Sequence, residues 1–206
     1  MLSVSVLIEQ CAPQVAPILM EALVRAESAW QPFAIGMDKA HGTVKQPASL
    51  AEAVATAKEL AAAGRKFSVG LAQIHMTNVS LYGMDWEQAF DACQNLAVGQ
   101  KILWNFYHRA SASGYTGVSA IWAALRGYNS GSVDRAVGDE YANRIFAYMS
   151  SAPPRVQIGN GVAFGKPAAK NSTPPLTVAA SALEADKPQR PGESLDIFEK
   201  SKPTGF

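Results

Sequence analysis

A single carboxylate sits where an apolar helical run meets a loop. In RAESAWQPFAIG (25–36), Glu27 follows a row of apolar residues, and Ser28, Trp30 and a Gln31-Pro32 turn come directly after it. A carboxyl among apolar neighbours is desolvated, which disfavours its charged form and raises its pKa. An acid still protonated near neutral pH is what proton donation to a leaving group requires. Taken alone the stretch is ordinary, because most glutamates on amphipathic helices are solvated. Any chemistry depends on partners elsewhere in the chain.

The elements that must position Glu27 follow from periodicity. Val15, Ile18, Leu19, Ala22, Leu23 and Ala26 recur at helical spacing and predict a helix over 13–28, with Pro13 in its first turn. Residues 30–42 read as an ordered loop. A second helix is expected over 47–63, ended by Gly64. In 66–78, Phe67, Val69 and Leu71 alternate before the pattern breaks, as in a short strand or an extended segment. Single helical turns are expected at 78–82 and 85–91, and the longest helix over 92–110, with Leu96, Leu103, Phe106, Tyr107 and Ala110 on its apolar face. Residues 117–126 predict a small-residue helix with Val118, Ile121, Ala124 and Leu125 inward, ended by GYNSGS (127–132). A last helix spans 139–149, with Tyr141, Ile145, Phe146 and Met149 inward.

Composition sets the outer bounds. The chain has 206 residues and a formal net charge of +1, which gives no electrostatic case for nucleic acid or an anionic membrane. No apolar run is long enough for a membrane span. The N-terminal MLSVSVLIEQCAP has no basic start, and Glu9 interrupts its apolar run, so it does not read as a signal peptide. Past Ala152 the character changes. Residues 153–206 hold eight of the twelve prolines and seven basic against five acidic residues, and are expected to be a disordered tail following a domain at 1–152. Cys11 and Cys93 form no CxxC or zinc pattern. They are either two buried thiols or one bridge closing a loop of about 80 residues, worth roughly 4–5 kcal/mol on the chain-entropy model.

Three segments stand in order: AES at 26–28, GLAQI at 70–74 and GYNSG at 127–131, with Tyr141 downstream. Together they resemble the lytic transglycosylases of the goose-lysozyme-like, soluble-transglycosylase superfamily. QPFAIG (31–36), the QP at 46–47, FSVGLAQI (67–74) and YGMDWEQAFDACQNL (82–96) resemble the branch that accompanies type IV secretion and conjugation systems. The resemblance covers about residues 6–150. It implies a mainly α, lysozyme-like (α+β) domain with a cleft between helices and a short irregular or β segment near 66–75 as one wall.

It also implies chemistry. Glu27 would be the catalytic acid in cleavage of the MurNAc–GlcNAc β-1,4 bond of peptidoglycan, without metal or cofactor, leaving a 1,6-anhydro sugar. Ser28 would fix the Glu27 side chain or backbone, or else serve the helix-end backbone. Gly70 would allow close approach of the glycan to the backbone. Gln73 would offer a donor and an acceptor to the sugar. Tyr128 and Asn129 would meet the sugar across the cleft, and Tyr141 would direct its hydroxyl at Glu27. Ala72 stands where many relatives have Met or Gly, which would alter the cleft wall. The implied partners are peptidoglycan strands and type IV secretion subunits, the implied location is the periplasm, and there a Cys11–Cys93 disulfide is expected.

Two rivals remain. A hydrolytic muramidase would need a second carboxylate. Asp38 is the nearest in sequence, though a solvated loop aspartate is the expected reading of it. A non-catalytic assembly factor would bind glycan or secretion subunits. His41, His75 and His108 have neither ligand spacing nor a nucleophile partner, and His75 is placed to line the groove.

Overall fold

The structure, a computed structural model, describes residues 4–151. The expected disordered tail at 153–206, and with it the domain boundary at 152, lies outside the described residues. In chain order the elements are α1 (Val4–Cys11), α2 (Pro17–Ser28), β1 (Ile35–Met37), α3 (Leu50–Ala62), β2 (Phe67–Val69), β3 (Ile74–His75), α4 (Met76–Leu81), α5 (Trp86–Phe90), α6 (Ala92–Ala112), α7 (Gly117–Ser130) and α8 (Asp139–Met149). The domain is mainly α with one small sheet, the lysozyme-like class that the resemblance implies.

The helix carrying Glu27 is central. It packs on α1 and α8, so Leu19, Met20, Leu23 and Val24 are all completely buried. Burial on more than one face explains why Met20 and Val24 lie inside the core beyond the expected stripe, while Ile18, expected inward, is half exposed. The first turn begins at Pro17, not near Pro13; a proline there loses no helical hydrogen bond and has its φ preset. The far end is abrupt. Ala29 (φ 48°) and Trp30 (φ 68°) are successive non-glycine residues in the left-handed region. Such residues cost on the order of 1–3 kcal/mol each and persist only where the surroundings fix them; the buried Trp30 ring is such an anchor.

The sheet is an antiparallel meander in the order β1-β2-β3. Its register pairs Ile35 with Val69 and Val69 with Ile74 on the buried face, and Gly36 with Ser68 and Ser68 with His75 on the other. The segment 30–42, expected to be loop, therefore contributes a strand. Three residues are too few to show an alternation, and β1 exists because β2 is there to pair with it. Residues 70–73, GLAQ, form the turn between β2 and β3, so the expected short strand at 66–78 is a tight hairpin followed by α4.

Local caps set the other boundaries. Ser49 accepts from the Glu52 amide, starting α3 three residues later than the proline suggested. Asp85 and Gln88 form a capping box on α5, and Asp91 caps α6. The α7 helix does not stop at Gly127. It runs to Ser130 and is ended by Gly131 (φ 78°), so Tyr128 and Asn129 are on its last turn, and Val118, expected inward, is exposed. Cys11 and Cys93 are joined by a disulfide, with Cα atoms 5.0 Å apart, tying the end of α1 to the start of α6.

Candidate active site

A cleft of about 500 Å³ runs between the sheet and the helices α6 and α7. Glu27, on the last turn of α2, reaches it from one side. Gln73 from the hairpin turn and Tyr128 and Asn129 from α7 reach it from the others. Glu27 and Tyr141, 114 residues apart, meet there: the Tyr141 hydroxyl donates to Glu27 Oε1 at 2.5 Å.

Burial raises the Glu27 pKa from its ordinary 4.5 to about 7, against the smaller opposing effects of the Tyr141 hydrogen bond and the Arg144 charge. The group is thus divided between acid and carboxylate near neutral pH, the condition under which one residue can give up a proton and later accept one. The tyrosines stay protonated: burial first, and then the neighbouring Glu27 charge, push both Tyr128 and Tyr141 well above the ordinary phenol value.

The hairpin turn is held from beneath by a residue that the sequence reading did not single out. Asn95 of α6, completely buried, accepts from the Ala72 amide (2.7 Å) and donates to the carbonyls of Val69 (3.0 Å) and Ala89 (2.8 Å). Its signal was available: Asn95 precedes Ile102 by seven residues on the inward side of a long helix, where a polar residue must find partners. Tyr128 fixes the same turn from α7, donating to the Ala72 carbonyl at 2.7 Å.

These contacts revise several expected roles. Gly70 (φ 78°) is buried, and a Cβ there would lie 2.2 Å from Asn95 Nδ2; the glycine makes room for Asn95, not for a glycan. Ser28 is buried and donates to the Val24 carbonyl at 3.1 Å, so it serves the helix end and makes no hydrogen bond to the Glu27 carboxylate. Ala72 faces α6, where a Cβ on Gly99 would meet it at 2.6 Å, and so it does not form the cleft wall. Gln73 lines the cleft, but both of its amide hydrogens are engaged, with the Ala34 carbonyl (3.1 Å) and the Gly70 carbonyl (2.9 Å). What it can offer a ligand is its carboxamide oxygen. That oxygen lies where a Cβ on Gly36 would be, at 2.3 Å, so a glycine is needed in β1. Asp38 is the solvated loop residue expected, its side chain 42% exposed, and it also lines the cleft beside His75.

The family model described as Transglycosylase SLT domain matches residues 5–148. Over 105 residues the chain is 50% identical to Type IV secretion system protein virB1 of Brucella abortus (strain 2308), covering 51% of this chain and 44% of that protein. It is 25% identical over 191 residues to Protein virB1 of Agrobacterium fabrum, covering 92% of this chain and 67% of that protein. It is 26% identical over 145 residues to Protein virB1 of Rhizobium radiobacter, covering 70% and 60%. The matched part thus spans less than half the length of the Brucella relative. No solved structure matches the chain. The family match takes in the whole cleft from Glu27 to Tyr141, and the chain belongs to the transglycosylase SLT domain family.

Proposed function

We propose that the protein is a peptidoglycan lytic transglycosylase with Glu27 as its catalytic acid and base. Protonated Glu27 gives its proton to the glycosidic oxygen as the MurNAc C1–O bond to GlcNAc breaks. The resulting carboxylate then takes the proton of the C6 hydroxyl of the same MurNAc, whose oxygen bonds to C1 and closes a 1,6-anhydro ring. No water is consumed, and Glu27 ends in the state in which it began. Tyr141 holds the carboxyl in position. The Gln73 carboxamide oxygen, the Tyr128 ring and the exposed Asn129 side chain are the groups we assign to the sugar. The observation that carries the reading is the placement of one carboxyl with a pKa of about 7 in an open cleft, bonded to a buried tyrosine. The names of the virB1 relatives support a role with a type IV secretion apparatus, for which local cleavage in the periplasm would open the wall.

The test is a digest of purified sacculi with the full-length protein and with Glu27→Gln, the sugar ends being read by mass spectrometry. Anhydro ends from wild type and none from the variant are expected. Reducing ends would mean that water attacked, making the protein a hydrolase with Asp38 as the carboxylate to examine next. Retained sacculus binding without cleavage by either protein would favour a glycan-binding assembly factor.

A further inference from the structure

The β wall of the cleft holds a pair of side chains that the reaction above does not use. Asp38 directly follows β1 and His75 closes β3, and both line the cleft. Gly36, Ser68 and His75 are in register across the three strands, so this face of the sheet offers the Gln73 carboxamide over Gly36, a hydroxyl and a ring in one row.

His75 Nε2 lies 3.7 Å from Asp38 Oδ2. That is too long for a good hydrogen bond and close enough for one further atom to touch both. The ring's tautomer is set locally. Nδ1 accepts from the Thr77 amide (3.3 Å), capping α4, and lies 2.8 Å from the Thr77 hydroxyl. With Nδ1 an acceptor, the neutral imidazole carries its hydrogen on Nε2, toward Asp38. The Asp38 carboxylate does not cap the short 3-10 turn that follows it, and the two side chains keep 42% and 29% of their surface exposed.

The pair therefore presents an acceptor and a donor less than 4 Å apart. A hydroxyl is the group that donates and accepts through one atom. An ammonium would suit Asp38 but oppose the Nε2 hydrogen, and a carboxylate would do the reverse. We propose that Asp38 and His75 clamp one sugar hydroxyl of the glycan strand against the β wall and so determine how the strand is seated. The proposal rests on the transglycosylase reading and adds specificity-determining residues to that site.

The test uses the full-length protein and glycan strands freed of their peptides, with KM and kcat measured for wild type, His75→Asn, Asp38→Ala and the double variant. Asparagine keeps a capping side chain for α4 but is too short to meet Asp38 across a shared hydroxyl. Each single variant is expected to raise KM about tenfold, the loss of one hydrogen bond to a charged or polar partner, with kcat within about threefold. The double variant should be little worse than either single one, because both residues hold the same hydroxyl. Binding of the same strands to Glu27→Gln by calorimetry, with and without His75→Asn, reads the clamp without turnover. About tenfold weaker binding supports it even where wild type cleaves nothing, an outcome that would overturn the reaction alone. Unchanged KM and Kd in His75→Asn would assign His75 to capping and overturn the clamp. So would an effect confined to strands that carry peptides, or a collapse of kcat in Asp38→Ala at constant KM.

Discussion

The Tyr141 hydroxyl lies 2.5 Å from Glu27 Oε1, and this bond joins α8, the last helix among the described residues, to the end of α2. It acts on the carboxyl in the sense opposite to burial: the donor stabilises the carboxylate, while desolvation favours the acid. Burial is the larger effect, and Tyr141 moderates it.

Tyr141→Phe removes the donor and leaves the ring. The Glu27 pKa should rise further above 7, so the alkaline limb of the kcat/KM profile on sacculi should move to higher pH. The maximal rate should fall about tenfold as the carboxyl loses its fixed orientation. An alkaline limb that stays in place would show that Glu27 titration does not govern it.

The same shift makes stability depend on pH. The folded state holds the Glu27 proton more tightly than the unfolded chain, so this contribution is fully present below about 4.5 and is lost as pH rises through about 7. Wild type should lose about 3 kcal/mol of unfolding free energy from this group between those values. Glu27→Gln should lack this loss, and should be the more stable of the two above pH 7. Urea titrations of both proteins at pH 5 and pH 8 measure the difference directly.

Gly36→Ala should impair activity more than folding. The backbone there is an ordinary strand, but the new Cβ would occupy the place of the Gln73 carboxamide oxygen, 2.3 Å away. Gln73 must turn away from the cleft, and kcat/KM should fall by about an order of magnitude or more with a change in unfolding free energy of about 1 kcal/mol. Activity equal to wild type would remove Gln73 from the site.

Asn95→Leu is expected to do both kinds of damage. It leaves the Ala72 amide and the Val69 and Ala89 carbonyls buried without their partner. A loss of about 3 kcal/mol or more is expected, together with lower activity in the protein that remains folded, because the turn carrying Gln73 is released. Denaturant titration and a sacculus assay on the same preparation separate the two effects.

Reduction of the Cys11–Cys93 disulfide frees a loop with a sequence separation of 82. Unfolding free energy should fall by about 2–4 kcal/mol, and non-reducing peptide mapping of protein recovered from the periplasm should find the two cysteine peptides joined.

Much of the architecture was legible in the chain because helix periodicity and caps are local. Leu96 and Leu103 announce α6, and the apolar spacing before Glu27 announces α2. Errors arose where a second layer of packing or a distant partner decides. Ile18 and Val118 fit their helical stripes and are nonetheless exposed. Strand β1 was unreadable at three residues, since the strand it pairs with, β2, is some thirty residues away in the chain.

The site divides along the same line. By itself the sequence determined which side chains were available: an acid at a helix end, a glutamine in a turn, and tyrosines at 128 and 141. Only the tertiary structure decided what each one does. Gly70 accommodates Asn95, Ser28 bonds its own helix, Gln73 directs its hydrogens into the backbone, and Asp38 stands beside His75. The physical reason is that a hydrogen-bonding side chain takes the partner that folding brings within about 3 Å. For Asn95 and Ala72, or Tyr141 and Glu27, that partner lies 23 or 114 residues away. The burial that lifts the Glu27 pKa is likewise a property of the assembled domain, and no spacing within RAESAWQPFAIG contains it.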